Sequence, residues 1–241
     1  MPLRTWFAAI FLTATSSKGI SAMVLSRQLD LGYKTAWFLA HRIRNLMPQD
    51  WEALRGMVEV DEAYLGGKRT TKRASKRDPD NQQPKGRGGS RKSMVMVAVE
   101  RGKRGKARAK RGGPHGARTI ATFVYSNVER SSVLLTDDLP AYRWIGRKFP
   151  AHLAVNHSRG EYVRRDPLAA ATAHVNTAES FNAVLKRCWV GVHHWWSSKH
   201  SHRYLNQLVF HWHHRGTSPD TRLAHLFRAS GRRLRFRDCI A

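Results

Sequence analysis

The chain has 241 residues, with 43 Lys and Arg against 17 Asp and Glu, a formal net charge of +26. A charge of that size and sign points to a polyanionic partner, most simply nucleic acid, and 41% hydrophobic residues exclude wholesale disorder. Two cysteines, Cys188 and Cys239, exclude a disulfide framework and an all-cysteine zinc ribbon, and no apolar run reaches the ~18 residues of a membrane span.

Residues 3–47 read as helices. The run Trp6-Phe7-Ala8-Ala9-Ile10-Phe11-Leu12 behind Arg4 has the outline of a short export signal. Its aromatics and its continuation into a helical pattern favour a buried helix instead, which leaves the cytoplasm as the default compartment. Ser21 is an N-cap for a helix carrying Ala22, Leu25 and Leu29. Leu31-Gly32-Tyr33 is a short turn, and residues 34–46 form a second helix with Ala36, Leu39, Ile43 and Leu46 on one stripe. Helix, glycine-containing turn, helix is the helix-turn-helix signature, and it is also that of an ordinary helical hairpin. In the first case Lys34, Thr35 and Trp37 at the start of the second helix face DNA.

The pattern changes at Met57. Residues 57–65 alternate and are β-branched, and Gly66-Gly67 ends them, which predicts a strand. Residues 66–92 carry 10 Lys and Arg against 2 Asp and read as a solvated basic loop. Residues 93–99 are the clearest buried strand, and 107–110 pair as a third within a stretch, 101–118, that has 8 Lys and Arg and no acid. Two basic stretches on either side of one strand concentrate charge on one rim of a sheet. Residues 119–128 fit a strand by composition and a helix by spacing. Residues 132–137 read as a strand broken by Asp138-Leu139-Pro140, 141–148 as a helix, and 152–156 as a strand. Residues 172–187 and 197–212 read as long helices, and the basic tail from 232 as frayed. This order predicts an α/β or α+β layered domain behind a helical module.

Acids are scarce, so those at the ends of apolar strands stand out. Asp61 follows Val58 and Val60, and Asp137 follows Val133, Leu134 and Leu135. An unpaired carboxylate there costs several kcal/mol in desolvation, so each pairs with a cation or both share a divalent metal. In the helix of residues 172–187, Asn176 and Glu179 are neighbours, and Lys186 lies two turns beyond Glu179 on the same face. Phe181, Val184, Leu185 and Cys188 make the core stripe. That polar face can hold a metal and a phosphate, or be an ordinary solvated Glu/Lys face. The histidines from His193 to His214 lack the ligand spacing of a zinc site. Trp189, Trp195, Trp196 and Trp212 are expected to pack in the core rather than stack on bases.

Val58-Glu59-Val60-Asp61-Glu62-Ala63-Tyr64-Leu65-Gly66-Gly67-Lys68 resembles the first catalytic block of the ISXO-like bacterial insertion-sequence transposases. Thr136-Asp137 with Tyr142 resembles the second block. His174-Val175-Asn176-Thr177-Ala178-Glu179-Ser180-Phe181 with Leu185-Lys186-Arg187 resembles the third. Gly191, His193-His194-Trp195, Lys199-His200 and Tyr204-Leu205 resemble the helix that follows. The likeness runs from about residue 3 to 215.

The resemblance implies a ribonuclease H-like α/β fold, a mixed sheet flanked by helices behind a small helix-turn-helix module. It makes 119–128 a helix. It implies a catalytic domain at 55–216 with the basic loop 66–92, a DNA-binding module at 1–50 and a basic tail at 217–241. Asp61, Asp137 and either Glu179 or Asn176 would hold two Mg²⁺ (or Mn²⁺) ions, with Glu179 favoured by charge and no unusual pKa required. Lys186 would touch the DNA backbone near the scissile phosphate. Lys34, Thr35, Lys68, Arg69, Lys186 and Arg187 are the expected DNA contacts. The implied function is metal-dependent cleavage and transfer of DNA strands by a homo-oligomer on the terminal repeats and target of an insertion sequence. The implied place is the bacterial cytoplasm, at the nucleoid. Family members commonly carry a cysteine-rich zinc-binding segment ahead of the helical module, and this sequence starts at Met1 without one. The alternative is a DNA-binding protein without catalysis, or an inactive truncated transposase.

Overall fold

The computed structural model describes residues 1–49, 52–66, 92–112, 116–155, 164–166, 171–231 and 234–240. Helices α1 (Leu3–Thr15), α2 (Ala22–Gln28) and α3 (Tyr33–Arg44) come first. Strands β1 (Met57–Leu65), β2 (Ser93–Glu100) and β3 (Ala107–Arg111) follow, then α4 (Ala117–Asn127), β4 (Val133–Asp137), α5 (Pro140–Gly146) and β5 (Ala151–Val155). A short hairpin of β6 (Arg164–Asp166) and β7 (Ala171–Ala173) precedes α6 (Asn176–Cys188), α7 (Ser201–His213), α8 (Pro219–Arg228) and α9 (Arg237–Ile240). Among the described residues no helix is long and apolar enough to cross a membrane.

A five-stranded mixed sheet runs β3-β2-β1-β4-β5. β1, β2 and β3 are antiparallel neighbours, and β4 pairs parallel with both β1 and β5. The period of two in β1 assigns its residues to opposite faces. Val58 and Val60 join Ile120, Phe123 and Val124 of α4 and Tyr142 and Ile145 of α5 in one core. Ala63 and Leu65 join Ala178, Phe181 and Leu185 of α6 and Leu205 and Leu208 of α7 in the other. With helices on both faces, β2 is buried from Met94 to Val99, which is why its sequence is a continuous apolar run rather than an alternating one. Fully burying a Val or Leu side chain is worth about 1.5–3 kcal/mol, so these two layers dominate the driving force.

α1 buries Ala9, Ile10, Thr13 and Ala14. α2 starts at the expected cap, where the Ser21 hydroxyl accepts from the Val24 amide at 3.2 Å. The three N-terminal helices share a core with Phe210 of α7 and Leu226 of α8.

The structure differs from the sequence expectation in five places. The helix expected over 172–187 begins only at Asn176, because Ala171–Ala173 is strand β7, paired with β6. The helix expected from 197 begins at Ser201. α8 was not expected, although Ser218 accepts from the Thr221 amide at 3.3 Å and Pro219 opens the helix, a standard start signal. The tail is packed rather than frayed: Cys239 is buried, and Phe236 meets Phe38 edge-on at 5.2 Å. Of the tryptophans expected in the core, Trp196 is buried and Trp189 and Trp212 pack against the second core, but Trp195 is 69% exposed.

The seam between α3 and α7 is built from neutral histidines. His41 is fully buried against Trp37 and His200, with ring centroids at 4.3 and 4.7 Å, and neither of its nitrogens has a hydrogen-bond partner. Burial, with Arg44 beside it, pushes its pKa down to about 2. Burial also lowers His193 to about 3 and His211 to about 4. A histidine held below its unfolded value stabilises the fold above pH ~6.5 and loses that contribution as the pH falls below it. His41→Phe is therefore expected to show a smaller drop in thermal midpoint than the wild type between pH 7 and 5, followed by circular dichroism. Parallel curves would show that His41 does not carry the acid sensitivity.

Candidate active site

The acids of β1 are sorted by its pleat. Glu59 and Asp61 face α6, and Glu62 faces α5. In the parallel pairing of β1 with β4, Met57, Val58 and Glu59 lie opposite Val133, Leu134 and Leu135. The same offset carries Asp61 level with Asp137, beyond the last paired residues, where the two strands part. Asp137 ends β4, whereas Asp61, expected at the end of its strand, lies in the middle of β1 and is still paired there with Val97 of β2.

Asp61 accepts from its neighbour's amide, Glu62 N–H, at 2.8 Å through Oδ1, and from the Asn182 side-chain amide at 2.8 Å through Oδ2. Asp137 Oδ1 accepts from the Leu139 amide at 3.2 Å. Burial raises the Asp61 pKa to about 6, and the negative charges of Asp137 and Glu179 add to the shift. Carboxylates on β4 and α6 therefore both act on the one on β1. Burial raises Glu62 to about 7, with Asp137 and Asp61 contributing, against the opposing hydrogen bond that the Tyr142 hydroxyl donates to its Oε1. These elevated values depart from the expectation that the acids need no unusual pKa. The physical cause is the site's low dielectric and like charge.

Glu59 sets the position of α6. Its carboxylate is fully buried and accepts from the Thr177 and Ala178 amides at 2.7 and 2.9 Å, the first turn of the helix. The Thr177 hydroxyl donates to it at 3.1 Å. Arg101 Nε donates to Glu59 at 2.6 Å and uses its other nitrogens on the Thr172 and His174 carbonyls at 2.5 and 2.7 Å. An anion at a helix N-terminus satisfies amides that have no partner within the helix and opposes the helix dipole favourably. The clamp binds the chain just before α6 to β1 at a residue two places from Asp61. Glu179, Asn182 and Lys186, spaced three and four apart, then share one face of α6.

Among the expected site residues, Asp137 and Glu179 each act electrostatically on Asp61. Asn176 stands exposed at the start of α6, its carbonyl accepting from the Ser180 hydroxyl, and the amide bonded to Asp61 is that of Asn182. Lys186 and Arg187 are exposed on the last turn of α6. Lys34 and Thr35 are exposed at the start of α3, with Lys34 Nζ 5.0 Å from the centre of the Phe236 ring. Lys68 and Arg69 lie outside the described residues. Sequence reasoning missed Glu59 as a helix clamp and Asn182 as a site residue. A carboxylate two places before Asp61 on the same strand face, and an amide three after Glu179 on a helix, were the available signals.

Among the described residues no three His, Cys, Asp or Glu side chains form a group that could hold a metal ion as they stand. The donor chemistry nevertheless suits a hard divalent cation. All donors are oxygens, burial makes Asp61 resist ionisation, and among the described residues the Asn182 Oδ1 oxygen beside Asp61 is buried without a hydrogen-bond partner.

The mixed sheet thus carries Asp61 in the middle of β1 and Asp137 at the end of the neighbouring parallel strand β4, with α6 packed on the same face as Asp61. Residues 53–213 match the family described as the ISXO2-like transposase domain, and the chain belongs to that family. It is also 28% identical over 196 residues to an uncharacterized protein in transposable element ISH50 of Halobacterium salinarum, a match covering 79% of this chain and 63% of that relative. The chain thus spans less than two thirds of the relative's length.

Proposed function

We propose that this insertion-sequence transposase cleaves and transfers DNA strands by DDE chemistry in a ribonuclease H-like catalytic domain over residues 55–216. The observation that supports the reading is that Asp137 of β4 and Glu179 of α6 both act on the buried carboxylate of Asp61 on β1, within a chain of the transposase family. The sheet order β3-β2-β1-β4-β5, with three antiparallel strands and then two parallel ones, supports the fold assignment. The capped helix α2, its glycine turn and α3 support a helix-turn-helix reading of residues 1–50, with Lys34 and Thr35 toward the element's ends.

Asp61, Asp137 and Glu179 would hold Mg²⁺ or Mn²⁺, with Asn182 Oδ1 adding a neutral oxygen. A divalent pair in such a site lowers the pKa of an attacking water or 3′-hydroxyl and neutralises charge at the leaving oxygen. The protein's own part is positioning. The Glu59–Arg101 clamp holds α6 so that Glu179 and Asn182 face Asp61, and Lys186, one turn on, meets the backbone phosphate. Glu62 and Tyr142 close the opposite side of β1 to water. Lys and Arg neutralise phosphates, so affinity falls steeply with salt. Double-stranded terminal repeats and target DNA are the partners, with a homo-oligomer assembled on them at the bacterial nucleoid.

The test is nicking and joining of terminal-repeat DNA with Mg²⁺ or Mn²⁺. Glu179→Ala is expected to lose most activity, Asn182→Ala about ten-fold, and Asn176→Ala less than about three-fold. Wild-type activity in Asp137→Ala overturns the site. Tight DNA binding with no metal-dependent nicking in the wild type favours the non-catalytic alternative.

A further inference from the structure

The most exposed aromatic side chain among the described residues stands in a groove. A π-helical turn (Trp189–His193) follows α6 and ends at His194, with φ 57°. Trp196 turns inward and stacks on Tyr204 with centroids 4.7 Å apart. Trp195 turns outward, 69% exposed, and among the described residues it is stacked on no other ring. A tryptophan left this open gives the core little of the area that aromatic side chains usually bury.

Trp195 is common to two depressions. One, of about 590 Å³, also includes Leu65, Gly66, Ser93 and Trp189. The other, of about 760 Å³, also includes Ser21, Tyr33 and Trp37. Together they extend from the end of β1, four residues and roughly 13 Å beyond Asp61, to the first turn of α3. The surroundings are cationic. Lys186, Arg187 and Lys199 are exposed on either side of the turn. Flat apolar rings beside these exposed cations complement a ligand that is itself flat and apolar at its rings and anionic along its backbone. An apolar peptide or a second copy of this +26 chain matches the rings but not the charge.

We propose that this groove binds unpaired bases at a DNA end, with Trp195 as their stacking platform. The proposal deepens the transposase reading and rests on it, since it gives the site a way to hold the strand splayed from the duplex beside Asp61. Base–aromatic stacking tolerates any sequence, because every base has a π-face. The recognition is therefore of strand separation, and it is separable from sequence reading by α3.

The test is fluorescence anisotropy in EDTA, so that no strand is cut, with two labelled duplexes of the same sequence. One is blunt, and the other has its last three base pairs replaced by mismatches. The wild type is expected to prefer the splayed end by about ten-fold. Trp195→Ala is expected to abolish that preference while binding the blunt duplex within about two-fold of wild type, and Trp195→Phe to retain most of it. A wild type that binds both duplexes equally overturns the groove assignment and leaves the transposase reading standing. Equal loss on both duplexes in Trp195→Ala, with a change of oligomeric state in sedimentation, makes the groove a protein interface and also overturns it. A wild type that binds neither duplex overturns both readings.

Discussion

Asp61→Asn is expected to abolish strand cleavage and at the same time to make the protein more stable. Activity should fall by about 10³-fold or more, since metal-borne stabilisation of developing charge is worth several kcal/mol. The opposite sign for stability follows from the raised pKa. Asp61 titrates at about 6 in the fold against 3.8 as its ordinary value, so the folded state holds the proton more tightly than the unfolded chain. Its favourable contribution is complete below pH ~3.8 and is lost as the pH rises through about 6, leaving a cost at neutral pH. The site is partly open to solvent, which discounts the shift to about 1–2 kcal/mol, or ~2–8 °C in thermal midpoint for a chain of this size. The asparagine keeps the hydrogen bonds: a flipped Asn182 amide can offer its unpartnered Oδ1 to the new NH₂ group. The gain should be largest near pH 8 and shrink toward pH 4. Mg²⁺ should raise the midpoint of the wild type and not that of the variant. Scanning calorimetry across pH, with and without Mg²⁺, checks all three. A variant less stable than wild type at pH 8 would show that Asp61 carries a structural ion pair rather than the cost of a poised site.

Glu59→Ala is expected to be the most destabilising single change in the site. It leaves the Arg101 guanidinium without its carboxylate and two helix amides, of Thr177 and Ala178, without an acceptor. Removing one partner of a buried pair costs about 3–5 kcal/mol, which is roughly 6–20 °C in thermal midpoint. Glu59→Gln keeps an acceptor for one amide and should lose about half as much. Because Glu59 holds α6, cleavage should fall in both variants at temperatures where they remain folded. DNA affinity should change less than about three-fold, because the phosphate-binding side chains are untouched. Denaturation monitored by circular dichroism and binding by anisotropy check the two halves. An alanine variant as stable as the wild type would mean that the clamp adds no net energy.

The sheet was legible because its strands obey the local rules. The alternation in residues 57–65 and the continuous apolar run of 93–99 are direct imprints of a half-polar and a doubly covered strand. Residues 119–128 were ambiguous from composition, since β-branched residues occupied helix-spaced positions, and packing of Ile120, Phe123 and Val124 against the sheet decided for helix. Asp61, Asp137 and Glu179 were visible as acids in a basic chain. Asn182 was not, because an amide inside a helix is unremarkable until the partner it meets, 121 residues away in sequence, is known. Glu59 was hidden for the same reason: its work is on a helix 118 residues further on. Trp195 was misread because a tryptophan beside another tryptophan carries no local sign of which one turns out.

The sequence by itself determined the polyanion-seeking charge, the five strands of the main sheet and the helices around them, and the scarcity of acids. Those are properties of composition and of periods of two and 3.6 residues, which act over neighbours along the chain. The tertiary structure alone decided which amide reaches Asp61, which carboxylate clamps α6, which tryptophan is left in the open and how far the acids' proton affinities rise. Each of these depends on burial and on charges brought together across more than a hundred residues, and neither exists until the sheet closes against α6.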